Sequence, residues 1–426
     1  MSILNLLPLI VALGGGYMLV KLRFFFILHP IKTVRKVASV LRAPSARTSL
    51  FLALAGTLGV GNIVGVAVGI SVGGAGSVFW LLVSSVFASV LKFSESTLSA
   101  DSAMENGGGM MIVLKKNFKK IGKLLGIIYA VLCILLSFSM GAALQTSSVV
   151  SSLDSSLGMH GISVVILFSV LVLAVILRRK KIKKVTGIVI PITTLVYVVL
   201  ALSAVGANLS RIPSVFSDIL SSAFSLDAAR GGAVGFFTST VVREGFARGL
   251  LSNEAGAGTS SLANSECSGM PTSSGLLGMC EVFFDTVILC TLTALAILTS
   301  VDNPSAFSSG IELVLLSVGN TFGAVSRVLV SACIALFAYA TVICWYYYGD
   351  KCIRFLFGRG YPLYTLLFIA AVFSGAFVRE RVLVLVSDYI LLFLTLLTFL
   401  AIIKSSDRIK ALSEHSGLLP FGRYSK

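Results

Sequence analysis

Long apolar stretches separated by short polar connections dominate the pattern along the chain. Each is about 20 residues long, which is the length that a helix needs to cross the hydrocarbon core of a bilayer. Lipid offers backbone groups no partners, so such stretches must be helical. The pattern predicts about eleven spans, and the seventh is the weakest because Arg243, Glu244 and Arg248 interrupt it. Their predicted limits are 4–22, 50–70, 76–98, 123–147, 162–177, 185–206, 231–250, 274–299, 323–348, 361–378 and 382–403.

The composition supports a membrane protein and excludes a soluble one. Of the 426 residues, 56% are hydrophobic and only 12% are charged, whereas a soluble domain carries about 25% charged residues. The alternating pattern of a membrane β-barrel is absent from the sequence. The seven cysteines form no CxxC pair and no metal-binding spacing, so we interpret them as small buried side chains. We therefore predict a single all-α polytopic membrane domain, 1–426.

Basic residues concentrate in connections that share one side of the membrane if about eleven spans are counted. The formal net charge is +16. In a soluble protein this charge would suggest nucleic acid, but the positive-inside rule explains it here, and no nucleic-acid partner is expected. The rule places the N-terminus outside and the C-terminus in the cytoplasm of a bacterium, with the protein in the inner membrane. The basic stretches are Lys21–Arg47, Lys115–Lys123, Arg178–Lys184, Lys351–Arg359 and Lys404–Lys426.

The ends of the chain and two polar connections complete this topology. The first apolar stretch lacks the charged start and the cleavage site of a signal peptide, so we predict that it is retained as a helix. The stretch 207–230 is predicted to be external, with a short interfacial helix. The polar stretch 252–274 is predicted to be a cytoplasmic loop.

Glycine interrupts the second span. Four glycines and one asparagine fall within ten residues, in the sequence Gly56-Thr57-Leu58-Gly59-Val60-Gly61-Asn62-Ile63-Val64-Gly65. Close packing of helices through small residues is one explanation. The other is a discontinuous helix whose freed backbone groups bind an ion and a substrate. A carboxamide at this depth, that of Asn62, favours the second explanation.

A similar pattern recurs five spans later. The stretch 231–249 is again interrupted by glycine and rich in hydroxyl groups. Interrupted helices at matching positions of two halves are typical of inverted-repeat transporters with a site near the membrane midplane. We predict two repeats of five helices, 49–206 and 231–403. An extra helix and a basic cytoplasmic loop, 1–48, precede them, and a cytoplasmic tail, 404–426, follows.

Several motifs, in order and at fitting depth, carry a resemblance to a known family. They are Leu22-Arg23-Phe24-Phe25, Gly59-Val60-Gly61-Asn62-Ile63, Gly73-Gly74-Ala75-Gly76-Ser77-Val78-Phe79-Trp80, Lys92-Phe93-Ser94-Glu95, Arg243-Glu244-Gly245-Phe246-Ala247-Arg248-Gly249-Leu250-Leu251-Ser252-Asn253-Glu254-Ala255-Gly256, Asp285-Thr286, Cys290-Thr291-Leu292-Thr293-Ala294-Leu295, Leu336-Phe337-Ala338-Tyr339-Ala340-Thr341 and Trp345-Tyr346-Tyr347-Tyr348-Gly349. On these residues the chain resembles the alanine or glycine:cation symporter family, also called sodium:alanine symporters, over most of its length.

The resemblance implies a LeuT-type inverted-repeat fold and coupled import of alanine, glycine and similar amino acids. It also implies two sets of site residues. The residues implied for Na⁺, mainly through backbone oxygens, are Ala55, Leu58, Phe337, Ala340 and Thr341. The residues implied for the amino acid are Gly59, Gly61 and Asn62, with Gln145, Phe237, Thr240 and Trp345 as candidate walls.

The chain departs from the family pattern near the implied ion site. Val60 and Ala340 stand where the family carries hydroxyl residues, Thr57 replaces an arginine, and Ala142 replaces an asparagine. Two hydroxyl groups are thus missing. We expect either that Na⁺ binding is weakened or that H⁺ replaces Na⁺ as the coupling ion.

Charged residues inside the spans invite functional hypotheses because they are expensive in lipid. We consider Asp285 either a functional acid or a structurally paired one. Arg243, Glu244, Arg248 and Glu254 are predicted to form a cytoplasmic gate of ion pairs, with plain packing or topology as the alternative.

No catalytic constellation and no nucleotide-binding loop are present in the sequence, so neither an enzyme nor ATP-driven transport is expected. We predict a secondary active transporter that couples Na⁺ or H⁺ to import of small neutral amino acids such as alanine (L or D) and glycine. We expect a monomer in the lipid bilayer that needs no cofactor besides the coupling ion. The alternatives are a substrate sensor on the same fold that does not transport, and an H⁺-coupled permease for another small amino acid.

Overall fold

A computed structural model describes residues 7–106, 108–224, 239–267, 269–307, 309–319, 321 and 323–419, without the side chains of 104–106 and 180. Within these residues the chain forms helices and no strands. The helix bounds are α1 Leu7–Lys21, α2 Phe25–Leu28, α3 Pro30–Val40, α4 Pro44–Thr57, α5 Val64–Gly73, α6 Gly76–Asn106, α7 Met110–Asn117, α8 Gly122–Phe138, α9 Leu144–Leu157, α10 Gly161–Ile176, α11 Ile182–Ala207, α12 Ile212–Ala223, α13 Thr240–Asn253, α14 Ser261–Asn264, α15 Pro271–Val282, α16 Thr291–Ser300, α17 Gly310–Ser317, α18 Ala324–Phe357, α19 Pro362–Ser374, α20 Glu380–Lys404 and α21 Ser406–His415. Wider π-helical turns, Ser139–Ala143 and Phe283–Cys290, join α8 to α9 and α15 to α16.

Six continuous helical stretches in the described part of the chain are long and apolar enough to cross a membrane. A seventh is obtained if α4 and α5, which meet at a 65° bend, are counted as one broken span. The apolar helices α1, α10 and α19 are shorter. The prediction of an all-α polytopic membrane protein is confirmed, whereas the count of about eleven spans and the five-plus-five repeat remain predictions.

Several helices extend beyond their predicted limits. α6, α9 and α18 end at Asn106, Leu157 and Phe357, past the predicted ends at 98, 147 and 348. The added turns are polar in part, and hydropathy alone therefore left them out. The predicted short helix in the connection after the sixth span corresponds to α12.

The middle of the molecule is built around α6. This helix packs extensively against both α13 and α15. Gly275 of α15 brings the two backbones close, because a Cβ atom there would lie 2.2 Å from Thr97 Oγ1 and 2.8 Å from Phe93 O. Small residues at helix contacts allow this approach in membranes.

We expect Gly275→Ala to destabilise the protein through this contact. Forcing an extra methyl group into a packed interface costs about 1–3 kcal/mol. The matched control is Gly187→Ala on α11, where a Cβ atom would meet nothing within 4 Å. Thermal unfolding in detergent should show a melting temperature below that of the wild type for the Gly275 variant. The control variant should keep the wild-type melting temperature. Equal melting temperatures would contradict the tight contact.

Ion pairs mark two opposite ends of the bundle. At one end Lys21 pairs with Asp407 at 2.6 Å and Arg408 with Asp101 at 2.8 Å. We call this end the basic face, and it is the predicted cytoplasmic side. At the opposite end Arg211 of the α11–α12 connection pairs with Asp302.

Glu266 links two helices at the basic face. Its carboxylate lies 2.7 Å from Lys351 Nζ and also pairs with Lys183. Partial burial raises the pKa of Glu266, but the two lysines lower it more, and the net pKa lies below the usual value. The pairs therefore stabilise the fold above the ordinary glutamate pKa and are lost as the pH falls through the lowered value.

We expect Glu266→Gln to cost about 1 kcal/mol at neutral pH, as partly exposed pairs do. The difference in melting temperature between wild type and variant should shrink as the pH is lowered below about 4. A difference that stays constant between pH 7 and the acid limit would contradict the assignment of this stability to ion pairs.

The polar stretch predicted to be a cytoplasmic loop is packed inside the protein over residues 252–264. Each of these residues is buried, and the segment packs against α4, α6 and α15 through its short helix α14. This polar segment can be buried because long-range partners satisfy its polar groups, and Glu95 of α6 accepts from two of its backbone amides.

Candidate functional site

The second span is broken as the glycine pattern predicts. α4 ends at Thr57, a short 3₁₀ turn follows at Val60–Asn62, and α5 begins at Val64. Gly59 is required by close approach, since a Cβ atom there would lie 2.8 Å from Thr341 Oγ1 and 2.9 Å from Gln145 Oε1. The break therefore lies against α18 and α9.

The break releases backbone groups from the helical ladder. In a continuous helix the amide of Gly59 would donate to the carbonyl of Ala55. Here it donates to Thr57 O at 2.8 Å and to Asn62 Oδ1 at 3.2 Å. The carbonyl of Ala55 is thus freed from its usual helical donor.

Side chains from neighbouring helices contact the broken segment. The Val60 amide donates to Gln145 Oε1 at 3.2 Å. Trp345 Nε1 donates to Gly56 O at 3.3 Å. Each of these bonds occupies a group that a continuous helix would use internally, so α9 and α18 hold the break in shape.

Three of the five residues implied for the ion meet at one point. The hydroxyl of Thr341 lies 2.9 Å from Phe337 O and 3.4 Å from Leu58 O, and bonds to both are possible. Ala55 and Ala340 are buried in the same two elements. The arrangement gathers carbonyl and hydroxyl oxygens, which hard cations prefer.

A cavity of about 530 Å³ lies beside the break. Val60, Gly61 and Gln145 line it, as do Val64 and Gly65 at the start of α5. The first amides of a helix have no partners within it and attract anions. This part of the cavity is therefore suited to a carboxylate.

The cavity opens away from the basic face. Ser305, Glu380 and Arg381 line it, and these residues lie at the end of the bundle where Arg211 pairs with Asp302. The opening is thus on the predicted external side.

Charged side chains line the wall of the cavity. Glu244 pairs with Arg243 at 3.1 Å and with Arg248 at 3.0 Å. The four residues predicted to form one gate do not form one network, because only Arg243, Glu244 and Arg248 pair with one another, and Glu244 and Arg248 line the cavity. Glu254 is separate from this network and lies in the buried segment 252–264.

Asn62, which the resemblance implies as a residue that binds the amino acid, contacts Asp285 instead. Its Nδ2 donates to a carboxylate oxygen of Asp285 and, at 3.3 Å, to the carbonyl of the same residue. The second Asp285 oxygen accepts from Ser252 and Thr286, each at 2.8 Å. Asn62 is absent from the residues that line the cavity, so in this conformation it joins the break to the π-helical turn after α15.

The other predicted wall residues are distributed unevenly. Gln145 lines the cavity, whereas Trp345 is fully buried behind Gly56 and does not. Thr240 is the exposed first residue of α13 and is not among the lining residues. Phe237 lies outside the described residues.

Sequence reasoning missed several lining residues. Met140 and Leu144 offer no signal, since they resemble any other apolar positions of a span. Glu380 and Arg381 adjoin the last predicted span and Asp388 lies within it, and their charge is a signal that could have pointed to them.

Together the broken span, the cavity and the oxygen cluster define a polytopic helical membrane transporter. The chain belongs to the sodium:alanine symporter family, whose model matches residues 2–415. Members of this family are transporters and not enzymes, and the expected resemblance is confirmed.

Two curated relatives illustrate the similarity. The sodium/alanine symporter AgcS of Methanococcus maripaludis is 33% identical over 342 residues, which cover 77% of this chain and 74% of the relative. The sodium/proton-dependent alanine carrier protein of Bacillus sp. (strain PS3) is 28% identical over 354 residues, covering 78% of each chain.

Among solved structures, a mutant of the manganese transporter of Eremococcus coleocola is similar in fold. The TM-score is 0.59 at 12% sequence identity, with 90% of this chain and 88% of the other covered. At this identity the match concerns the fold alone.

Proposed function

We propose that the protein couples the entry of a cation to the import of a small neutral amino acid. One observation carries the proposal: the unwound segment of the second span lies at once against the cavity and against the Thr341 hydroxyl. A substrate in the cavity and an ion beside Thr341 would share the same short stretch of backbone, and binding of one would therefore preorganise the site of the other.

The amino acid is proposed to bind where Gly61, Gln145 and the start of α5 line the cavity. Its carboxylate would face the free amides of the α5 N-terminus. Its ammonium group would face the carbonyl end of α4, which carries partial negative charge. A Cβ atom at position 61 would lie 3.3 Å from Ser252 Cα, so glycine there keeps the break close to α13.

The cation is proposed to bind between Leu58, Phe337 and Thr341, with Ala55 and Ala340 contributing backbone oxygens. Na⁺ suits this set because all the ligands are oxygen. One of the two relatives is named as a sodium symporter and the other as a sodium- and proton-dependent carrier, so Na⁺ and H⁺ are both proposed as candidates for the coupling ion. We propose that transport occurs by alternating access between two five-helix repeats, 49–206 and 231–403. The transporter is proposed to be a monomer with its N-terminus outside.

Uptake of labelled glycine, L-alanine and D-alanine into proteoliposomes tests this function. A Na⁺ gradient and a pH gradient are imposed separately, and saturable accumulation under one of them names the coupling ion. Binding without accumulation under either gradient would contradict symport and would favour a sensor. Accumulation under the pH gradient of some other small amino acid alone would favour a different permease.

A further inference from the structure

A group of buried charges lies apart from the cavity, where the segment 252–264 passes between α6 and α15. Lys92 of α6, fully buried, places its Nζ 3.0 Å from Glu281 Oε1 and 3.8 Å from Glu95 Oε1. Glu254 is also buried, in the left-handed region at φ 53° directly after α13. One ammonium group thus faces three carboxyl groups, and ionised carboxylates without compensation are very costly at this depth.

The three carboxyl groups are not equally compensated. Glu281 has Lys92 and, at 3.2 Å, the Asn264 amide. Glu95 Oε2 accepts hydrogen bonds from the amides of Gly256 and Gly258 at 3.0 and 3.1 Å. Its Oε1 has no hydrogen-bond partner in the described structure but lies 3.8 Å from Lys92 Nζ.

Glu254 is the least compensated of the three. One of its oxygens accepts from the Thr259 hydroxyl, and the other, Oε1, is buried without a hydrogen-bond partner in the described structure. No basic side chain of the described residues lies within 4 Å of it. A proton on this carboxyl group would remove the uncompensated charge.

A path connects Glu254 to the large cavity. Glu254 lines a small void of about 10 Å³, space for roughly one water molecule. Asp388 and Leu251 line this void and the large cavity as well. Asp388 is therefore the acidic residue that the void beside Glu254 shares with the cavity.

The other end of the buried segment reaches the basic face. Lys351, which pairs with Glu266 there, also donates to Leu262 O at 2.7 Å. The segment that begins with Glu254 thus runs from the void beside the cavity to the predicted cytoplasmic side.

We propose that Glu254 is a proton-binding site, loaded from the cavity through Asp388 and unloaded toward the basic face, so that a proton moves with the amino acid. The proposal rests on the proposed symport. It assigns the proton to a residue away from Thr341, and Na⁺ and H⁺ are then carried at separate places.

Several charged groups face Glu254 and set its protonation. They are Lys92 and Glu95 on α6, Glu281 and Asp285 on α15 and its π-helical turn, and Asp388 on α20. The hydroxyl groups of Tyr129 on α8 and Tyr348 on α18 also lie near Glu254. Alkaline pH should empty the site, and proton movement with the amino acid should fall as the pH rises.

The test follows alanine-dependent proton entry in proteoliposomes that enclose a pH-sensitive dye. Na⁺ is equal on both sides and the voltage is clamped. Wild type should acidify the interior when alanine is added. Glu254→Gln should lose this acidification by at least about tenfold, while exchange of labelled for unlabelled alanine continues, because glutamine mimics the protonated acid. The matched control is Glu312→Gln on α17, an exposed glutamate, which should keep both activities.

Undiminished acidification by Glu254→Gln would overturn the proposal. If that variant loses exchange as well, protons taken up on alanine binding are counted in weakly buffered detergent solution for wild type, Glu254→Gln and Glu254→Asp. A proton count that falls only in the glutamine variant supports the site, and equal counts in all three overturn it.

The two proposals fail in different ways. Na⁺-driven accumulation by wild type without any proton movement would reject Glu254 and keep the proposed function. Proton uptake on alanine binding that depends on Glu254, without accumulation under any gradient, would reject symport and keep the proton site.

Discussion

Valine at position 341 should raise the Na⁺ concentration for half-maximal alanine uptake by at least about tenfold, a change of about 1.4 kcal/mol. Valine matches threonine in shape but lacks the hydroxyl group that lies 2.9 Å from Phe337 O and 3.4 Å from Leu58 O. With Val60 and Ala340 already apolar, Thr341 offers the one side-chain hydroxyl of the proposed ion set. Initial uptake rates measured across a Na⁺ series give the effect.

Two further variants make this result specific. Thr341→Ser keeps the hydroxyl group and should keep the Na⁺ dependence within a few-fold. Thr299→Val on α16 removes a buried hydroxyl that bonds to Leu295 O of its own helix, and it should leave the Na⁺ dependence unchanged. A wild-type Na⁺ dependence in Thr341→Val would place Na⁺ elsewhere, and an undiminished rate driven by the pH gradient alone would identify H⁺ as the driving ion.

The break in the second span could be predicted because its cause is local. Glycines at 56, 59, 61 and 65 weaken the helix whatever surrounds it, and the observed bend falls between Thr57 and Val64. Most span limits are local in the same sense, since hydropathy over about 20 residues determines them.

The burial of 252–264 could not be predicted because its cause is remote. Its polar composition is typical of a solvated loop. It packs between distant helices, and Glu95, more than 150 residues away in sequence, accepts hydrogen bonds from its Gly256 and Gly258 amides. In a buried polar segment, hydrogen-bond partners inside the protein take the place of water. The sequence alone does not show which residues these partners are.

The site likewise contains features with local causes, which the sequence predicts, and features with remote causes, which it does not. Gly61 and Gln145, two of the residues proposed for the substrate, line the cavity, and Thr341 meets Leu58 and Phe337. The pairing of Asn62 with Asp285 depends on how α15 packs against the break, and the resemblance to a family did not reveal it. The charges at Glu244 and Arg248 weakened the prediction of a span, yet in the structure they line the cavity.

Alanine at position 59 should lower coupled uptake by about tenfold to a hundredfold, since a displacement of about 1 Å in a binding site has effects of this order. The backbone at Gly59 has a negative φ of −121°, so no left-handed conformation demands glycine there, and we attribute the effect to space. The new methyl group would lie 2.8 Å from Thr341 Oγ1 and 2.9 Å from Gln145 Oε1. Gln145 can move its flexible end, but Thr341 is β-branched and fixed by its helix.

The same methyl group would therefore displace the break from α18 and damage the ion and the amino-acid site together. We expect Gly59→Ala to weaken both the Na⁺ dependence and the alanine affinity, whereas Thr341→Val should weaken mainly the first. Gly187→Ala, which adds a methyl group to open space on α11, should change neither. Normal uptake by Gly59→Ala would mean that the unwound segment and α18 are not in contact during transport, and the shared backbone could then not couple the two sites.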